Sequence, residues 1–306
     1  MRFLIAGSTG LIGSALVERL RGEGHEAVRL VRPQTDAAVD GIRWNPPESL
    51  DPDLVGGFDG VANFSGRSIG ERRWSDEEKR LVWESRVDTT RVLVEAIAHA
   101  DPKPRVLVNA SAVGYYGDGG DAVLTETSPK GEGFLADLVA AWEEAARPAA
   151  DAGIRVAMTR SGIILSEEGA ALGRLLAPFG PKWLSPYRWG LGGPVAGGDT
   201  YWPWISFDDE IAAILHLLLR SEIEGPVNLT APEPVTNRRF IRAVGRALGR
   251  PTVIPIPGFA VKIVIGGELA EAVVLQSQRA IPARLEADGF RFADTDIDEA
   301  MKDAIG

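Results

Sequence analysis

Three glycines at regular spacing, Gly7, Gly10 and Gly13, separate a short apolar run, Phe3 to Ala6, from an amphipathic stretch over residues 11–21. The run reads as a buried strand. The stretch carries Leu11, Ile12, Ala15, Leu16 and Leu20 at helical intervals and stops at Gly22 and Gly24. Ala27 to Val31 reads as a second buried strand, so the chain opens on a βαβ unit with parallel strands. In that setting a G-x-x-G-x-x-G turn has a mechanical meaning. Gly7 permits the tight turn, Gly10 lets the backbone approach a pyrophosphate, and Gly13 lets the helix pack close to the strand. The helix N-terminus then offers unpaired N–H groups to phosphates. Gly7, Ser8, Thr9, Gly10, Leu11, Ile12 and Gly13 are therefore expected to hold a dinucleotide.

The alternation continues down the chain. Residues 60–64, 106–110 and 154–159 read as strands. Residues 76–98 read as one long helix, entered through a capping box of Ser75 and Glu78, and residues 134–150 as another. Later helices are expected at 208–221 and at 237–248, the second between Thr236 as N-cap and Gly249 as stop. The expected fold is α/β: a doubly wound parallel-sheet Rossmann domain from residues 1–164 and about 205–230, with a smaller substrate-side domain from 165–204 and 231–306. Residues 177–204 are rich in proline, glycine and aromatics. Trp183, Trp189 and Trp202 would either wall a pocket over the carboxyl ends of the strands or fill the second domain's core.

A dinucleotide site that selects NAD places an acidic residue at the end of the second strand. Here Val31 stands at that end and Arg32 follows. A cation suits a 2′-phosphate, so NADP is expected over NAD, unless Arg32 is an ordinary surface arginine. The net charge of −10 argues against nucleic acid and against anionic membrane surfaces as partners. No run of roughly 18 apolar residues suggests a membrane span. The chain has no cysteine, and its three histidines, His25, His99 and His216, share no ligand spacing, so no metal is expected. These features fit a cytoplasmic protein with an unknown small-molecule substrate. They leave its oligomeric state open.

Further segments carry a resemblance. Asn63-Phe64-Ser65-Gly66 resembles the N-x-A-G turn of short-chain dehydrogenases/reductases. Ser111 to Gly117 resembles the S-x-x-x-Y-G segment of their extended branch, and Arg160-Ser161-Gly162-Ile163-Ile164 resembles a later R-x-x-x-V turn. More narrowly, Arg73-Trp74-Ser75, Ser85-Arg86, Gly114-Tyr115-Tyr116-Gly117, Trp142-Glu143, Trp204-Ile205-Ser206 and the tail Arg279-Ala280-Ile281-Pro282 resemble the "epimerase family" proteins of that superfamily, which end in a domain of unknown function. Ser206 departs from that family's histidine. The resemblance implies that Asn63, Ser65, Gly66, Arg160 and Gly162 join Arg32 in holding the cofactor.

The superfamily's Y-x-x-x-K acid/base pair is absent. The fourth residue after each tyrosine is Gly119, Gly120, Leu191 or Ile205. A phenol needs a nearby cation to act as a base near neutral pH. Ser111 stands at the resembling hydroxyl position. Arg86 occupies a place where the superfamily usually has Asn, near the cofactor ribose. The expected catalytic set is thus Ser111, Tyr115 or Tyr116, and Arg86, with Arg86 replacing the lysine; the alternative is that Arg86 forms an ion pair and the tyrosines only pack. Two functions follow: an NADP-dependent oxidoreductase on a small carbonyl or alcohol, or a non-catalytic NADP(H) sensor or scaffold. A sugar-nucleotide epimerase is a lesser variant.

Overall fold

The computed structural model describes residues 1–177 and 185–305. Its strands are β1 Arg2–Ala6, β2 Glu26–Val31, β3 Ile42–Arg43, β4 Gly60–Asn63, β5 Val106–Ala112, β6 Val123–Leu124, β7 Arg155–Ser161, β8 Ile163–Leu165, β9 Tyr201–Trp202, β10 Trp204–Ser206, β11 Gly225–Leu229, β12 Val235–Thr236 and β13 Arg279–Ala280. Its helices are α1 Leu11–Gly22, α2 Pro52–Val55, α3 Asp76–Glu84, α4 Val87–His99, α5 Phe134–Asp151, α6 Ala170–Leu176, α7 Phe207–Leu219, α8 Asn237–Leu248, α9 Gly258–Ile265, α10 Gly267–Ala270, α11 Ala283–Ala287 and α12 Ile297–Ile305.

Seven strands form one parallel sheet in the order β11-β7-β5-β4-β1-β2-β3. Central strands buried on both faces read as unbroken apolar runs. Accordingly Phe3, Leu4 and Ile5 are all 0% exposed. Leu16, Val17 and Leu20 of α1 and Ile214, Leu217 and Leu218 of α7 cover one face. Leu93, Val94 and Ile97 of α4 with Ala146 and Ala149 of α5 cover the other. The strand order reverses between β1 and β4, and such a reversal opens a crevice at the carboxyl ends of those strands.

A separate core gathers Leu165, Leu172, Leu176, Trp202, Trp204, Phe240, Ile297 and Met301 from β8, α6, β9, β10, α8 and α12. Thr236 Oγ1 accepts from the Arg239 amide and Gly249 takes a left-handed conformation, so α8 starts and stops as its sequence implies. The tail is pinned to the sheet domain. Asp209, in the first turn of α7, accepts from the Ala293 and Asp294 amides at 2.9 Å each. Ser206 caps α7 by accepting from the Asp209 amide, which gives the residue in the family's histidine position a structural task.

Three expectations are revised. The helix over 76–98 is two helices, α3 and α4, broken at Ser85–Arg86. Ser85 Oγ donates back to Val82 O at 2.9 Å and accepts from the Arg67 amide at 3.1 Å, drawing the backbone away from one continuous ladder. The capping box at Ser75 is half formed. Ser75 Oγ accepts from the Glu78 amide, but the Glu78 carboxylate turns to Arg67 at 2.7 Å. The aromatic wall also divides. Trp202 is core, edge-on to Phe240, whereas Trp189 is 67% exposed and Trp183 lies outside the described residues.

Candidate functional site

The turn after β1 has the shape its glycines imply. Gly7 has φ +72, and a Cβ there would meet the Phe64 carbonyl at 2.4 Å, so the turn lies directly on the turn after β4. A Cβ at Gly13 would meet the Gly7 carbonyl at 2.3 Å, which is the close helix–turn approach. Gly10 differs: the nearest atom to a Cβ there is the Gly7 carbonyl at 3.4 Å, so its outer face is open. Gly10 is the N-cap of α1 and supplies no side-chain cap, and the first helical bond runs from Ser14 N to Gly10 O. The amides of Leu11, Ile12 and Gly13 therefore lack helical acceptors. Ser8 is 1% exposed and its hydroxyl has no partner. An open backbone face, free amides and an orphaned hydroxyl form an anion cradle, and the residues present fit a dinucleotide pyrophosphate.

The β4 turn behaves differently from expectation. Asn63 is fully buried. Its Nδ2 donates to Thr90 Oγ1 and Asn109 Oδ1, and its Oδ1 accepts from the Ser65 amide. Trp142 Nε1 also donates to Thr90 Oγ1, at 2.9 Å. Asn63 thus ties β4, α4 and β5 together and shapes the turn from below, with both of its amide hydrogens spent on protein partners. Gly66 faces Arg86, whose Cζ would lie 3.2 Å from a Cβ at that position. Gly162 packs against the Pro203 carbonyl, 2.8 Å from where a Cβ would stand. Arg32 is exposed at the end of β2.

Arg86 sits at the break between α3 and α4, over the Trp142 ring at 5.2 Å. Among the described residues its guanidinium donates to Val82 O and Ser85 Oγ, at 3.3 and 3.5 Å. Burial without an acidic partner pushes its pKa down to about 10, so it stays charged at neutral pH. Among the described residues no carboxylate pairs with its guanidinium, which lies against Gly66.

The other expected catalytic groups are held in one hydrogen-bonded network. Ser111 Oγ donates to Glu143 Oε1 at 2.6 Å. Arg160, 2% exposed, forks onto both oxygens of Glu143 at 2.7 and 2.8 Å. Its guanidinium lies 3.5 Å from the Tyr115 ring centre and donates to the Tyr116 hydroxyl at 3.1 Å. Tyr116 in turn donates to Asn228 Oδ1 at 2.6 Å, and burial raises its pKa although Arg160 opposes the rise. Arg160 therefore cannot reach a cofactor, because its fork is taken. Tyr116 is a buried neutral donor. Tyr115 lines a cleft of about 340 Å³ against α5 with Ala140, Glu143, Glu144 and Arg147, to the side of the sheet and away from the glycine turn. The organising residue is Glu143, to which sequence reasoning assigned no role. Its spacing of 32 residues from Ser111 and 17 from Arg160 has no local periodicity that could flag it.

Comparison with known proteins identifies the family. A model of the NAD dependent epimerase/dehydratase family matches residues 3–229. The chain belongs to that family. A second model, a domain of unknown function (DUF1731), matches residues 256–304. Within the family, an epimerase family protein of Mycobacterium leprae is 43% identical over 298 residues, which cover 97% of this chain and 93% of that protein. Human epimerase family protein SDR39U1 is 34% identical over 308 residues, covering 100% of both. A crystal structure of the human protein with NADPH has a TM-score of 0.88 and covers 100% of this chain and 99% of that one. The nucleoside-diphosphate sugar epimerase of Corynebacterium glutamicum, at TM-score 0.79 and 34% identity, also aligns with the whole chain, which spans 58% of that longer protein. The Rossmann architecture and the short-chain dehydrogenase/reductase superfamily are thus shared across these family members.

Proposed function

We propose that this protein binds NADP(H) over the β1–β4 crevice and exchanges hydride with a small carbonyl or alcohol. The observation that carries the cofactor reading is the cradle at α1: the open face of Gly10, the free amides and the orphaned Ser8 hydroxyl. The NADPH found with the human relative supports the choice of dinucleotide. Leu11, Ile12 and Gly13 amides with Ser8 and Thr9 would hold the pyrophosphate, and Ser65 and Gly66 the neighbouring sugar. The nicotinamide, when bound, supplies or accepts the hydride.

The protein's own part falls to Ser111 and Arg86. Ser111 directs its proton at Glu143, so its oxygen can accept from a substrate hydroxyl, and the proton that balances the hydride is exchanged with water. Arg86 keeps its charge at neutral pH and is a poor proton shuttle there. It can stabilise an oxyanion or orient the ribose beside Gly66. The second reading, binding without turnover, draws on the buried state of Tyr116 and the stacked state of Tyr115. An epimerase is favoured less, since it needs the absent Tyr-Lys pair.

Stopped-flow NADPH oxidation with a panel of small aldehydes and ketones separates these readings. Arg86→Met keeps the apolar stem on Trp142 and should slow turnover about 100-fold, as loss of a charged transition-state contact does, with an unchanged melt. Gly66→Ala presses on the guanidinium and should cost about tenfold by displacing it. Stoichiometric NADPH binding with no oxidation by any carbonyl would leave the sensor reading standing.

A further inference from the structure

Side chains on a strand alternate between faces, so Arg29 and Val31 of β2 share one face and Arg32 follows on the other. A Rossmann unit that selects NAD presents a carboxylate to the ribose from this strand end. Val31, 5% exposed, cannot. Arg29, two residues back on the same face, donates to the Ser8 carbonyl inside the glycine turn. A positive charge thus stands below the point from which an NAD-selective chain would offer a negative one.

The surroundings are built around that charge. Arg29 and Arg21 line a cleft of about 420 Å³ with Thr9, Ala38, Val39 and Asp40. Arg21 donates to the Ala27 carbonyl at 2.8 Å. The hydrogen bonds of both arginines go to backbone carbonyls, and neither is joined to a carboxylate among the described residues. Burial, and then the charge of Arg21, lower the pKa of Arg29 against the opposing charge of Glu18, and the two cations share the cleft with the single carboxylate of Asp40 in its lining. Like charges held together in a protein of net charge −10 call for an anion. Arg43 completes the outer wall. Its guanidinium donates to the carbonyls of Arg32, Thr35, Asp36 and Val39 and folds that loop against the strand edge.

We infer that Arg29, backed by Arg21, is the principal holder of the 2′-phosphate of NADP(H) in the cleft between α1 and the 32–41 loop, with Arg32 a secondary, solvent-exposed contact. The inference rests on the dinucleotide reading above and adds where its phosphate is recognised.

Calorimetry with NADPH, NADH, adenosine 2′,5′-bisphosphate and AMP tests it on the native chain and on Arg29→Gln, Arg29→Lys, Arg21→Gln and Arg32→Gln. The native chain should bind NADPH at least about 30-fold tighter than NADH, and the bisphosphate tighter than AMP. Arg29→Gln should lose at least about tenfold in NADPH affinity and stay within about twofold for NADH. Arg29→Lys should fall between, for it keeps the charge and loses the fork. Arg32→Gln should lose less NADPH affinity than Arg29→Gln. If Arg29→Gln lacks a cooperative melt, Arg29→Lys and Arg21→Gln decide on the same NADPH/NADH ratio. A native chain that prefers NADPH and keeps its full preference in the Arg29 and Arg21 variants overturns the inference alone. A native chain indifferent to the 2′-phosphate overturns it together with the choice of NADP, and loss of all dinucleotide binding would place the fault in the cradle reading.

Discussion

Glu143→Gln is expected to destabilise the protein by about 3–5 kcal/mol, the range for breaking a buried ion pair from one side. The carboxylate faces a guanidinium whose side chain is 3% exposed, and it accepts the Ser111 hydroxyl as well. Burial opposes the charge of Arg160, and the Glu143 carboxylate more than restores it. An amide of the same shape keeps the packing and leaves that charge unbalanced between two tyrosine rings. In a chain of this size the change lowers Tm by roughly 10 °C. Arg160→Met/Glu143→Gln removes the stranded charge and should recover part of the loss, as double-mutant analysis of buried pairs requires. A Tm for Glu143→Gln within a degree or two of native would mean that the network is wetter and weaker than its geometry indicates.

The second large effect is a pH dependence. Glu210 lies in the first turn of α7 and is 0% exposed. Ser161 Oγ donates to one of its oxygens at 2.6 Å, and the other has no partner. Burial raises its pKa from 4.5 to about 8, and the Ser161 bond offsets only part of that. The folded state therefore holds a proton that the unfolded chain releases above about pH 4.5. This contribution to stability is full below that pH and is lost as pH rises to about 8, after which it is constant. At about 1.4 kcal/mol per pKa unit, the loss is on the order of 4–5 kcal/mol. Glu210→Gln is neutral throughout. Its Tm relative to native should climb by about 5 °C or more between pH 5 and pH 8.5. Parallel Tm curves for the two proteins over that range would show that Glu210 titrates normally.

The fold was legible because its signals are local. An apolar run, three glycines and a helical stripe fall within the first 21 residues, and their order already dictates a parallel pair. The break at Ser85–Arg86 was hidden, since it depends on the Arg67 amide meeting a serine 18 residues on. The two-residue strand β3 carries too little pattern to detect. In the site, the cradle was visible and the chemistry was not. Ser111, Tyr116 and Arg160 read as free polar groups until Glu143 and Asn228 come in from elements far along the chain. Glu210 is one of three acids in the first turn of α7, with Asp208 and Asp209, and nothing local in the sequence says which of the three faces inward. Arg29 was findable. The i, i+2 rule applied to Val31 reaches it directly.

The central claim is that the turn from Gly7 to Gly13 holds the dinucleotide, and titration of Gly10→Val with NADPH in a calorimeter tests it most directly. The backbone there is extended, with φ −82 and ψ 172, and the nearest atom to a Cβ is 3.4 Å away, so the variant should fold with a near-native melt. Its branched side chain would stand in the open face where the pyrophosphate must lie. The account predicts saturable, near-stoichiometric NADPH binding by the native chain and a loss of at least about 100-fold in the folded variant, as expected when phosphate contacts are blocked at close range. Equal NADPH affinity in native and Gly10→Val protein would contradict it.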